Sequence, residues 1–180
     1  MNWKSPYTQR RFGVTPAIEH PEDFLTSQHI HSHFGLERCF FEWERHNVAD
    51  ALALKTDDLT YLDWFDAHAD GLVLLLMPSP RSWEGSAYIH WFGSESHSSQ
   101  LTVAMLHHWH LRYGAELVAH YGTMLELITT RLPETPEEAL QLAWEQETLA
   151  PCTTLLPGVC LRDHARSLLH THRWFLHERP

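Results

Sequence analysis

The chain has 180 residues, a length that suits one domain with a short extension and lets a core form without a metal or disulfide staple. Hydrophobic residues make up 43% and charged residues 20%, the balance of a globular protein rather than a disordered one. The formal net charge is −10, which disfavours nucleic acid and anionic membrane surfaces as partners and permits a basic protein.

Residues 1–21 are polar and broken by Pro6, Pro16 and Pro21. They read as an irregular arm, followed by one α+β domain over 22–180. Residues 1–11 lack the apolar core of a secretory leader, so the expected address is the cytoplasm. In 29–33 the residues His29, His31 and His33 alternate. On a strand these three imidazoles would project from one face, where neutral imidazole is a good zinc ligand. The further aspartate and histidine of the familiar hydrolase pattern are missing from the segment, so no metal is assigned and this triplet is the alternative site.

Residues 34–50 are ambiguous. Leu36, Phe40, Trp43 and Asn47 fall near helical spacing, while the adjacent Phe40-Phe41 also suits a strand. Residues 56–80 hold five aspartates and no lysine or arginine, with Tyr61, Trp64 and Phe65 interleaved. Such a run usually solvates one face of a fold. Its alternative role is docking, because aromatic anchors supply contact energy and carboxylates steer a cationic partner. The candidate partner-binding residues are Asp57, Asp58, Tyr61, Asp63, Trp64, Asp66 and Asp70.

The apolar run 72–77, closed by Pro78 and Pro80, has the length of a strand buried on both faces and is far too short to cross a membrane. Residues 87–92, with Tyr88, Ile89, Trp91 and Phe92, read as a second strand. Ser98 or Ser99 caps a helix to Tyr113 whose apolar stripe is Thr102, Met105, Leu106, Trp109 and Tyr113, with Gly114 in the left-handed position after it. Residues 115–121 and 123–129 read as a hairpin turning at Gly122.

Thr135, Pro136 and Glu138 form a capping-box start for a helix that continues through Leu140, Ala143, Trp144 and Glu147 and stops before Pro151. A third helix is expected over 161–170, with Leu161, Ala165, Leu168 and Leu169 inward, and an edge strand over 173–177. The fold class that follows is α+β, with helices packed on a mixed or mostly antiparallel sheet.

The chemistry-bearing residues do not assemble into a known catalytic pattern. Cys39, Cys152 and Cys160 have no CxxC spacing and their odd number closes no disulfide framework, so free thiols in a reducing compartment are expected, with Cys39 in the core. No serine sits in a GxSxG elbow, and the eight glycines form no phosphate-binding loop. His107 and His110 lie three apart on the first strong helix, off its apolar stripe, which places them on a solvated face. His170 and His172 lie at a helix end, where positive charge suits the helix dipole.

From about Leu72 onward the chain resembles the bacterial family known as domain of unknown function 4253. The resemblance is carried by Met77-Pro78-Ser79-Pro80, Trp83, Ala87-Tyr88, Trp91, Gly93, Trp109 and the run Tyr113-Gly114-Ala115-Glu116-Leu117-Val118. It continues through Pro136, Glu137-Glu138-Ala139, Ala143, Glu145-Gln146 and Trp174-Phe175. It implies a shared fold and transfers no catalytic residue or cofactor. With acidic charge, no export signal and no catalytic motif, the expected function is a non-enzymatic protein-binding one. Its most concrete form is a bacterial immunity protein that neutralises a cognate toxin, in some cases a basic nuclease. The alternatives are a histidine-dependent metal protein and a structural or regulatory domain.

Overall fold

The structure is a computed structural model that describes residues 20–53, 71–94, 98–156 and 158–179. The chain separates into two compact units, 1–42 and 43–180. In the first, α1 (Pro21–Ser27) starts with Pro21 at its first position and carries Glu22 and Asp23 in its first turn, where carboxylates suit the helix dipole. It ends with His29 in the left-handed region at φ 57° and the Ile30 N–H donating to the Leu25 carbonyl. The ambiguous segment is helical: α2 (His33–Asn47) begins in this unit and extends into the next.

The second unit holds the sheet. After a 3-10 helix (Ser82–Ala87) come α3 (Ser99–Tyr113), β1 (Glu116–Tyr121), β2 (Met124–Ile128), α4 (Pro136–Leu149), α5 (Cys152–Leu155), α6 (Leu161–Leu168) and β3 (Arg173–His177). The three strands form one antiparallel sheet in the order β1-β2-β3, so β3 is the expected edge strand and the α+β class holds. No helix among the described residues is long and apolar enough to cross a membrane.

The helix starts follow the sequence signals. Ser98 accepts a hydrogen bond from the Leu101 N–H, and Gly114 sits at φ 64°, ψ 33° after α3. A Cβ at Gly114 would collide with Thr130 Oγ1 as well as strain the backbone. Thr135 accepts from the Glu138 N–H at 3.1 Å, while the Glu138 carboxylate reaches back to the Glu134 N–H at 2.8 Å, one residue earlier than a standard capping box. The hairpin pairs Tyr121 with Met124 around Gly122 at φ 60°, and a bulge at Val118 interrupts the ladder between Leu117 and Ala119.

Opposed pairs set the core. Leu125 faces Leu176 and Leu127 faces Trp174, all buried, and the Trp174 ring meets Trp109 and Tyr113 of α3 edge to face. Phe175 points the other way and packs with Ala119, Met124 and Val159, so β3 is covered on both faces. Helix α4 packs chiefly on α6, and Ala139, Leu142 and Ala143 of the first and Ala165 and Leu168 of the second are buried.

Two expected strands are absent. Residues 72–77 make no ladder, and the expected double burial is reversed: Leu72, Val73, Leu74, Leu75 and Leu76 are 55–86% exposed. An apolar run demands a cover but cannot supply one, and the sheet that forms is already assembled from β1, β2 and β3. Residues 87–92 are not a strand either. The Gly85 carbonyl accepts from both the Tyr88 and Ile89 N–H groups, which winds that stretch into the end of the 3-10 helix. Its β-prone residues instead provide one anchor. Trp91 is fully buried, and its indole N–H donates to the Thr123 carbonyl at the hairpin turn.

Candidate functional site

Among the described residues, three places carry side chains that could serve a function. The first is built where the 3-10 helix meets α3 and β1. Pro80 and Arg81 bring the chain into the 3-10 helix, and Ser82 at its start donates its hydroxyl proton to Glu116 of β1 while accepting the Leu117 N–H at 3.2 Å. The other oxygen of Glu116 lies 2.9 Å from His110 Nδ1 on α3. Because the Ala115 carbonyl is also 3.2 Å from that nitrogen, Nδ1 carries the proton. Trp83 covers the two histidines of this helix. Its ring stacks on His107 at 4.7 Å with an interplanar angle of 9°, and its centroid lies 4.1 Å from that of His110. His107 is exposed and His110 half-buried, so the expected solvated face is partly roofed by an aromatic ring.

The chemistry available there is limited by how the groups are already committed. The Ser82 hydroxyl uses its proton on Glu116 and a lone pair on a backbone N–H, and His110 bonds to Glu116 rather than to Ser82. Among the described residues no imidazole is placed to deprotonate the hydroxyl, so the trio lacks the order of a nucleophilic triad. Beside it, Glu84 accepts from Ser79 and pairs with Arg81 at 2.9 Å. Those two partners, in that order, hold its carboxyl below the usual carboxylate range.

The second place is a polar seam behind the sheet. Trp109 donates its indole N–H to Glu145 at 2.9 Å, and Tyr113 donates to Glu138 at 3.2 Å. Burial and then the Glu138 carboxylate raise the Tyr113 phenol well above its ordinary value. Gln146 and His164, both buried, share a 2.9 Å hydrogen bond between α4 and α6. Burial alone pushes His164 down to about 4. The Gln146 side-chain amide nitrogen and the Trp174 indole nitrogen are buried without a hydrogen-bond partner among the described residues. The hydrogen bonds of this seam hold α3, α4 and α6 together, which is a structural role.

The third place is the exposed run of Leu72, Val73, Leu74, Leu75 and Leu76. Scattered single surface apolar residues are ordinary, whereas a contiguous apolar patch marks an interaction surface.

The sequence-based candidates fare unevenly. Asp57, Asp58, Tyr61, Asp63, Trp64, Asp66 and Asp70 all lie outside the described residues. His29, His31 and His33 do not share a strand face, which corrects that expectation. His29 follows α1 in the left-handed region, whereas His33 opens α2 and lies 3.8 Å from Glu37. Among the described residues no three metal-capable side chains converge. His170 meets the Leu52 carbonyl and His172 the Thr129 carbonyl, so both work as hydrogen-bonding groups beyond any dipole effect. All three cysteines are free; Cys152 is buried, while Cys39 and Cys160 are half-buried. Sequence reasoning missed the tie from Ser82 to Glu116 and His110, which joins residues 34 positions apart. It also missed the His164–Gln146 pair, for which the only local signal was a histidine on the inner side of α6.

Many of the residues that carry the family resemblance meet in the first two places: Trp83 and Glu116 in one, Trp109, Tyr113, Glu138, Glu145, Gln146 and Trp174 in the other. The family described as Domain of unknown function (DUF4253) matches residues 73–177. No curated protein and no solved structure matches the chain.

Proposed function

The chain belongs to the DUF4253 family, and from that premise we propose that it is a non-enzymatic, acidic protein-binding protein of the bacterial cytoplasm, acting as an immunity protein that covers the cationic surface of a cognate toxin. The observation that carries this reading is the way charge is spent. Arg45 pairs with Glu137, Arg81 with Glu84, Arg112 with Glu138, Arg173 with Glu126, and Arg162 and Arg166 with Glu44. Those arginines are neutralised locally. The negative excess therefore rests on carboxylates elsewhere, of which 57–70 contributes five in fourteen residues with no lysine or arginine among them.

A field of that sign speeds encounter with a basic partner and repels phosphate backbones. A basic nuclease is the kind of toxin it suits, because an array of carboxylates can occupy a surface built for phosphates. The aromatic residues Tyr61 and Trp64 within the acidic run supply anchors of the type that dominate interface energetics.

The test is co-expression with the product of the adjacent gene. The expected result is a complex that co-purifies and relief of that product's toxicity, with both lost when Asp57, Asp58 and Asp63 are replaced by lysine. A purified pair that neither associates nor relieves toxicity would remove this reading.

A further inference from the structure

The cluster around Trp83 does something that the proposed partner contact does not use: it closes an edge of the sheet. β1 is an end strand in the order β1-β2-β3, and the 3-10 helix packs against both α3 and β1. Ser82 accepts the Leu117 N–H at 3.2 Å and donates to Glu116, so a side chain of the 3-10 helix covers an edge amide of β1. The approach is close, because a Cβ added at Gly85 would come within 2.9 Å of the Leu117 side chain. From the α3 side the helix is held at Trp83. Its ring lies flat on His107 at 4.7 Å and against His110 at 4.1 Å.

We infer that Trp83, His107, His110 and Glu116 form a pH-sensitive latch, which holds the 3-10 helix over the edge of β1 more tightly when the imidazoles are protonated. A protonated His107 is a cation stacked parallel to the indole, inside the roughly 6 Å at which an aromatic face attracts a cation. A protonated His110 brings a second cation to the same ring and turns its 2.9 Å contact with Glu116 from a hydrogen bond into an ion pair. Among the described residues, the charged groups beside the two imidazoles are Glu84 from the 3-10 helix and Glu116 from β1, with Arg81 paired to Glu84 at 2.9 Å. Ser79 and then Arg81 hold the Glu84 carboxyl low, and His107 adds to this. Arg81 and the repulsion between two protonated imidazoles act against the latch. Two carboxylates and the indole face act for it, and Arg81 is already neutralised by Glu84.

The sign follows from the form that is favoured. An ordinary imidazole changes charge near pH 6.5. Protonation favours the closed latch, so its contribution is complete in mildly acidic solution and is lost as pH rises past neutrality. The buried His164 acts in the opposite direction and on the whole fold, because burial keeps it neutral. Local opening at β1 and global unfolding are therefore separable by their pH dependence.

The test is hydrogen exchange of the full chain at about pH 6 and about pH 8, with each rate divided by its intrinsic rate at that pH. The Leu117 amide reports opening of the latch, and the Leu127 amide in the central strand reports global unfolding. The expected result is protection at Leu117 that falls about fivefold from the lower to the higher pH, with no matching fall at Leu127. Replacing both imidazoles, His107→Gln with His110→Gln, should abolish that dependence and leave protection at the level of the higher pH. His107 is exposed, so His107→Gln alone keeps the fold and should reduce the dependence at least about twofold. Protection at Leu117 that is the same at both pH values overturns the inference, as does a pH dependence that these variants leave intact. Binding of a basic partner is read separately, so the proposed function stands or falls by its own test.

Discussion

His164 is the residue with the clearest titration consequence. It is 1% exposed, and burial holds its imidazole neutral down to about 4, against an ordinary value of 6.5. The unfolded chain takes up that proton first as pH falls. Stability is therefore unaffected by this group above about 6.5 and declines as pH drops from there toward 4, by roughly 3 kcal/mol in all. Glu84 and Glu138 act lower down. For Glu138, burial opposes ionisation, but the Glu134 N–H, Tyr113 and Arg112 together outweigh it and hold the carboxyl below its ordinary value. Their contribution is present above the ordinary carboxylate range and is lost as pH falls through their lowered values. Thermal melts between neutral pH and about pH 4 should show the decline beginning near 6.5, and His164→Gln should flatten its upper part.

Ser82 allows a second test at this scale. Its hydroxyl joins the 3-10 helix to β1 through Glu116 and the Leu117 N–H. Ser82→Ala should cost about 1–2 kcal/mol, read from chemical denaturation, because two hydrogen-bonding groups lose a partner. Binding of the cognate partner should be unchanged, since the hydroxyl belongs to the scaffold.

At the scale of elements, the starts and stops of α3 and α4 rest on single residues. Thr135→Ala removes the acceptor for the Glu138 N–H and should cost about 1 kcal/mol. Gly114→Ala should cost more, about 2 kcal/mol, because the new Cβ is strained at positive φ and meets Thr130. Equilibrium unfolding of both variants would place them in that order. These elements were legible because their signals are local. A cap, a proline at the first turn and a glycine after the last are each satisfied by atoms within four residues. The same reasoning failed for 72–77 and 87–92. Apolar and aromatic content records a need for burial, and Trp91 is fully buried, with its indole N–H on the Thr123 carbonyl at the hairpin turn, without a ladder of its own.

For the whole molecule, charge is the property with the widest reach. Local pairing of Arg45, Arg81, Arg112, Arg162, Arg166 and Arg173 leaves the negative excess on carboxylates elsewhere in the chain. Raising salt from about 50 mM to about 500 mM should weaken the proposed complex with a basic partner, since screening acts on an attraction. Titration calorimetry at the two salt concentrations would check this.

The sequence by itself determined the α+β class, the antiparallel hairpin at Gly122, the caps of α3 and α4, the edge strand at the C-terminal end and the family to which the chain belongs. Each of these depends on short-range geometry or on motifs read in order along the chain. Only the tertiary structure decided which polar groups meet. Glu116 joins Ser82 to His110, Trp83 lies against two histidines, and His164 finds Gln146 across a helix interface. It also decided that the most apolar run of the chain stays outside the sheet. Such pairings join residues up to 122 positions apart and depend on how helices and strands pack, which no local pattern encodes.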